Sequence, residues 1–203
     1  MSKYNEQYYF IRRLKDNDAI PFLTPDENTA GRHYDYKAQP VGSAPLVFHN
    51  GFKERSLKKG IVGLVPDILF AGSDMVVKSA IRQKLLLVDI PRLHMHSAIY
   101  IDDKDNWHED YWYLTFTDPF DCWDRETSEY DDEDDGDDDD DPSYEVYRFS
   151  LNTDLLDKTP LRDRLLFKMG GQTSEFAVCH ESILSIFRAS GAKIIPIRDY
   201  GSQ

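Results

Sequence analysis

The segment Asp131–Asp141 reads DDEDDGDDDDD, ten acids in eleven residues with only Gly136 between them. Such a run repels itself and offers no apolar side chain to a core, so it cannot lie inside a packed domain. The rest of the chain must fold around it. Of the formal charge of −13, ten units sit in this segment and −3 remains for everything else. The acidity is thus a local insert in a nearly balanced protein. Asp131, Asp132, Glu133, Asp134, Asp135, Asp137, Asp138, Asp139, Asp140 and Asp141 are read as a long, solvated surface loop and as the candidate contact to a basic protein partner. The competing reading is a spacer that touches nothing.

A hydrophobic content of 40%, with 12 Tyr and 11 Phe among 203 residues, is enough for a real core. One domain over residues 1–203 is expected, with 1–65 the less diagnostic part. Cys122 and Cys179 stand far apart without a CxxC neighbour, so neither a disulfide framework nor a thiolate metal site is indicated. The opening MSKYNEQYYF has no basic stretch leading into an apolar run, and no segment reaches the ~18 apolar residues of a membrane span. A cytoplasmic protein is expected, with no membrane partner. The net charge of −13 argues against a nucleic-acid partner, which calls for a basic surface.

Tyr8–Ile11 is rich in β-formers and reads as the first strand. Residues 19–45, broken by Pro21, Pro25, Gly31, Pro40, Gly42 and Pro45, read as mostly loop lying over the core. Leu46–Phe48 is a short strand. Val77, Ile81, Leu85 and Val88 form one apolar stripe, which predicts a helix over about 78–87, with Pro91 forcing the exit. In Tyr111–Phe116 both alternating faces are bulky, so this strand is expected to be central, covered on both sides, with Trp112 in the core. Tyr144–Phe149 resumes as a strand after the acidic segment, and Leu165–Met169 is another. Phe176–Val178 runs into an expected helix over about 180–190, which Gly191 would cap. The Pro196 of Ile194–Ile197 predicts an edge strand. Ser73–Val77 and Ser174–Val178 each deliver the chain into a helix, a faint internal echo. The class expected is α+β: a mixed, largely antiparallel sheet with two main helices and a long acidic surface loop.

His94 and His96 share a face if extended, and His108 lies close in sequence. These three are the residues of an alternative reading, a metal-assisted hydrolase, but their spacing matches no standard metal motif. Cys179-His180-Glu181 spells nucleophile, base and acid, yet adjacent residues on a helix point ~100° apart and do not converge. Gly170-Gly171 lacks the spacing of a phosphate loop. No catalytic residue, metal site or cofactor is expected.

The flanks of the acidic segment carry a more specific signal. Phe120-Asp121-Cys122-Trp123-Asp124 leads into Glu126-Thr127-Ser128-Glu129-Tyr130, preceded by Ala98–Asp102 and Tyr111–Leu114. It is followed by Leu166–Met169, Phe176–Ile183 and Ser190–Ile197. This order resembles a family of bacterial polymorphic-toxin immunity proteins once known only as a domain of unknown function. FDCWDRETSEY stands for that family's "iDCLD…Sey" segment, and the closing helix, glycine, strand and proline match as well. The resemblance covers roughly residues 66–197. It implies an antitoxin of the bacterial cytoplasm that acts by tight binding. Its partner would be a cognate secreted or contact-delivered toxin, encoded by the adjacent gene. The resemblance implies no catalytic residue. It leaves partner choice to variable surface segments, here the acidic one, which would mask a basic, nucleic-acid- or nucleotide-directed active site. A third reading is an acidic chaperone or adaptor of a secreted effector.

Overall fold

A computed structural model describes residues 2–132 and 144–201. A 3-10 turn, Lys3–Glu6, is capped by Ser2, whose hydroxyl accepts from the amide of Tyr4, and it leads into β1 (Tyr8–Arg13). The short β2 (Leu23–Pro25) precedes α1 (Glu27–Ala30), capped by the Asp26 carboxylate accepting from Thr29. β3 (Leu46–Asn50) and α2 (Lys53–Lys58) follow. The hairpin β4 (Ile68–Ala71) and β5 (Asp74–Lys78) feeds α3 (Ser79–Leu85), and the long hairpin β6 (Leu93–Ile101) and β7 (Trp107–Phe116) comes next. β8 (Glu129–Asp132) and β9 (Tyr144–Arg148) pair with each other. Then come α4 (Thr153–Lys158), β10 (Leu166–Lys168), β11 (Ala177–His180), a 3-10 segment Glu181–Ile186 and β12 (Ala192–Pro196). The chain is an α+β protein, mostly mixed and largely antiparallel sheet with few, short helices.

The larger sheet has the order β2-β3-β6-β7-β5-β4, antiparallel except for β3 beside β6. Its edge strands β2 and β4 come into contact, so the sheet curls towards closure. Strand alternation sends Phe48, Val76, Ala98, Tyr100, Tyr111 and Tyr113 to the inside of the curl. Phe70, Met75, Val77, Leu114 and Phe116 face the other way, where the second sheet packs. That sheet has the order β10-β11-β1-β12. Ile11, Ala177 and Cys179 join the core between the sheets, while Tyr8, Phe10 and Val178 face a third cluster around Trp123 and Phe149. β7 is central and covered on both sides, as its two bulky faces imply, and β12 is an edge strand. The loop 19–45 is mostly irregular, interrupted by β2 and α1.

Four expectations change. The helix expected over about 180–190 is a 3-10 segment, because Ile183 and Ile186 recur at three residues and His180 caps its start by accepting from Ser182. The helix expected to 87 ends at Leu85, leaving Leu86 and Leu87 exposed. Trp112 is half-buried, its indole donating to Ser79 Oγ at 3.0 Å under the Arg82 guanidinium; the buried tryptophan is Trp123. Asp131 and Asp132 are not loop: they extend β8, opposite Glu145 and Tyr144.

Gly191 ties the two sheets together. Its carbonyl accepts from Leu14, just beyond β1, and the neighbouring Ser190 carbonyl accepts from Ile68 on β4. Its φ is +96°, and a Cβ here would lie 1.9 Å from the Ile68 oxygen. Gly191→Ala combines left-handed strain with overpacking and is expected to lower stability by about 3 kcal/mol. Gly42→Ala, at φ +85° with nothing within 4 Å, is expected to show only the backbone cost of about 1–2 kcal/mol. Urea denaturation of the two variants separates strain from clash.

Candidate protein-binding furrow

The histidines singled out in the sequence do not converge. His94 is exposed on β6. His96, on the same strand face, lies with Nε2 2.9 Å from the Ala44 carbonyl and 3.4 Å from Arg32, under the strap of residues 32–45. His108 pairs opposite Tyr100, four residues along β6 from His96 and so about 13 Å away at ~3.3 Å per residue. Its partner is Asp102, at 3.1 Å. Burial works to raise the pKa of Asp102, but hydrogen bonds from Asn106, His108 and the Lys104 amide outweigh it and hold the carboxyl well below the ordinary range. The group caps the β6–β7 turn. Among the described residues no three or more His, Cys, Asp or Glu are placed to hold a metal ion. Zinc affinity should be the same for the protein and for a His94→Ala, His96→Ala, His108→Ala variant by calorimetry. A stoichiometric site lost in the variant would revive the hydrolase.

Cys179 lies inside the inter-sheet core, and burial pushes its thiol up to about 12, the reverse of an activated nucleophile. His180 turns away to Ser182 and lies edge-on to Tyr8, with ring centres 5.1 Å apart. Burial lowers its pKa. The unfolded chain therefore takes the proton first, so this contribution to stability is complete above pH about 6.5 and declines as pH falls below it. The melting-temperature difference between the protein and His180→Asn is expected to shrink from pH 8 to pH 5.

The feature that gathers polar and aromatic side chains is a furrow that runs from the side of β9, across the end of β1, to the seam between the two larger sheets. It comprises three clefts that share walls. The near cleft, about 290 Å³, lies between Tyr147 and Glu145 of β9 and Asp199 and Tyr200 near the C-terminal end. The middle one, about 400 Å³, shares Arg12 and Ser174 with it. The far one, about 410 Å³, shares Phe22, Gly72 and Ser73 with the middle and is lined by Tyr34, Asp35, Tyr36 and Asp74.

Arg12 leaves β1 and lies over the Phe176 ring at 4.3 Å and the Tyr200 ring at 5.6 Å, while Arg13 lies 5.7 Å from Phe22. Phe22 stacks on Phe52 at 5.6 Å. At the far end Lys168, only 4% exposed, reaches across the seam to Asp74 at 2.7 Å and Glu175 at 3.3 Å, over the Tyr36 ring at 4.3 Å. Tyr113 donates to Asp74 at 2.5 Å and lies 3.0 Å from Asp35. Burial raises the Asp74 pKa against the lowering pull of Lys168. Tyr36 and Glu175 hold φ of 52° and 45°, so two non-glycine residues here are kept in the left-handed region. Such strain concentrates where a surface is shaped for a task.

At the near end Tyr147 donates to Asp131 at 2.8 Å, a bond that pushes the phenol up to about 12. Asp131 is exposed, and Asp132 is the last described residue of β8. Glu133, Asp134, Asp135 and Asp137 to Asp141 lie outside the described residues. Of the acidic set the structure therefore ties Asp131 to the furrow, through the hairpin partner Tyr147.

No protein-family model and no curated protein matches this chain. Among the described residues no helix is long and apolar enough to cross a membrane. Sequence reading missed Arg12, Arg13, Phe176, Tyr147 and Tyr200. The one available signal was two arginines directly after Tyr8-Tyr9-Phe10-Ile11, charges ending an otherwise apolar strand.

Proposed function

We propose that this chain is an immunity protein, which neutralises a cognate bacterial toxin in the cytoplasm by direct tight binding through the furrow. The observation that carries the binding reading is the furrow's make-up. Arginines stacked on aromatic rings line a shaped seam, and Tyr, Trp and Arg are the residues that dominate protein–protein hot spots. The toxin reading comes from the resemblance of the flanking sequence. The two meet at the β8–β9 hairpin, one strand of which lines the near cleft while the acidic segment follows the other. The dense negative charge in the sequence that begins at Asp131 suits a partner that is basic around its active site, and it would speed encounter more than it would tighten the complex.

The test uses the purified chain and the product of the neighbouring reading frame. Tight binding and protection of cells expressing that product are expected. Tyr147→Ala, on the rim, should weaken the complex by about tenfold while leaving the fold intact. Converting the ten acids of 131–141 to Asn and Gln should slow association by about 10–100-fold at low salt, a gap that closes as salt rises. Absence of any complex between the wild-type chain and that product would sink the proposal.

A further inference from the structure

The middle of the furrow has a charge opposite to that of the chain as a whole. Arg12, Arg13 and Lys15 line its cleft, and among the described residues no carboxylate does. Several arginines elsewhere pair with carboxylates, as in Arg125 with Asp121, Arg92 with Asp118 and Arg198 with Glu6. Among the described residues the Arg12 guanidinium has neither an ion pair nor a hydrogen bond. Its centre lies 4.3 Å from the Phe176 ring and 5.6 Å from the Tyr200 ring. Among the described residues the side chain of Arg13 donates only to the Ile20 carbonyl, at 3.3 Å.

Phe22, Phe52, Phe70 and Phe176 complete the cleft with apolar surface. A guanidinium already packed against aromatic rings loses less freedom on forming a bidentate bond, and an apolar floor strengthens that bond. The geometry points to an anchor pocket for a carboxylate carried next to an aromatic or large apolar side chain on the partner's surface. This rests on the furrow being the toxin-binding face and adds the chemistry that the face selects. The ends of the furrow have the other sign. Glu145 and Asp199 lie in the near cleft, and Asp35, Asp74 and Glu175 surround the single Lys168 in the far one. A partner must therefore present an acid between two basic stretches, and that alternation fixes its register along the seam.

The pocket is tested without the toxin by calorimetry, using N-acetyl-Glu-Phe-amide, N-acetyl-Gln-Phe-amide and AMP as probes. The Glu probe should bind about 10–100-fold tighter than its Gln counterpart, the range for a hydrogen bond to a charged group. That preference should vanish in Arg12→Gln, Arg13→Gln. Arg13→Gln, Lys15→Gln, which leaves the Phe176–Tyr200 stack untouched, should reduce it if the first variant melts early. Equal binding of the two dipeptides, survival of the preference in both variants, or tighter binding of AMP than of the Glu probe would each overturn the proposal. With the toxin, Arg12→Gln should raise the dissociation rate by a similar factor at high salt. If the wild-type chain does not bind the toxin at all, the immunity reading fails, and the dipeptides still decide the pocket.

Discussion

Lys168→Met is expected to cost about 3–5 kcal/mol, the range for removing one partner of a buried ion pair. Lys168 comes from β10 of the smaller sheet, and Asp74 opens β5 of the larger, so the pair is a bond between the sheets. Without the ammonium, Asp74 keeps its burial and loses the group that offsets it, with Glu175 nearby and Tyr113 committed to the same carboxylate. The Asp74 pKa, already raised in the folded protein, should rise further. A raised carboxyl pKa means that the folded state binds the proton more readily than the unfolded one. Stability is then present at low pH and is lost as pH rises from about 4 through the folded pKa. The variant's deficit relative to the parent should therefore be smaller at pH 5 than at pH 8. Asp74→Asn added to Lys168→Met should recover much of the loss, since the uncompensated charge has gone. A single-variant deficit below about 1 kcal/mol at pH 8 would mean that the pair is far better solvated than its 4% and 14% exposures imply.

Trp123→Ala is expected to cost about 3–5 kcal/mol as well, by a different route. The ring is 2% exposed and meets Tyr130, Tyr144 and Phe149 edge-on at 5.1, 5.6 and 6.2 Å. Its indole N–H donates to the Gly171 carbonyl at 3.0 Å, and the Arg125 guanidinium lies 3.9 Å over its face. Tyr130 belongs to β8 and Tyr144 to β9, so this tryptophan is the floor on which the hairpin rests. Truncation should loosen the mount of the acidic segment together with the core. Trp112→Ala, at a half-buried ring, should cost about 1–2 kcal/mol less. Urea denaturation of both variants gives the ranking, and a larger loss at Trp112 would reverse the roles assigned to the two rings.

The reasons why some parts of this chain were legible in sequence are local. Tyr111–Phe116 declares a covered central strand because both of its faces are bulky, and Val77, Ile81 and Leu85 declare the α3 stripe by their spacing. The 3-10 segment reads as α-helix in sequence because Phe187 completes an α-like stripe beside Ile183 and Ile186, whereas the fold uses the three-residue recurrence of Ile183 and Ile186. The furrow could not be read at all. Arg12 meets Phe176 and Tyr200 only because β1 pairs with β11 and β12, and Lys168 meets Asp74 only because the sheets pack as they do. Hydrophobic periodicity reports which face of an element is buried, not which distant element covers it.

The pairing of β1 also sets an order of events during synthesis. Tyr8 is opposite His180 and Tyr9 is opposite Pro196, so the first strand made has both its neighbours among those made last. At about 5–20 residues per second, β1 waits roughly 10–40 s on the ribosome with its backbone unpaired. The curled sheet, whose strands all lie within residues 23–116, has its full sequence long before then. The seam, and with it the stacked Arg12, forms only when β11 and β12 emerge. A nascent chain stopped short of residue 177 would carry every strand of the curled sheet but not the furrow, so any binding through the furrow would arrive only with β11 and β12.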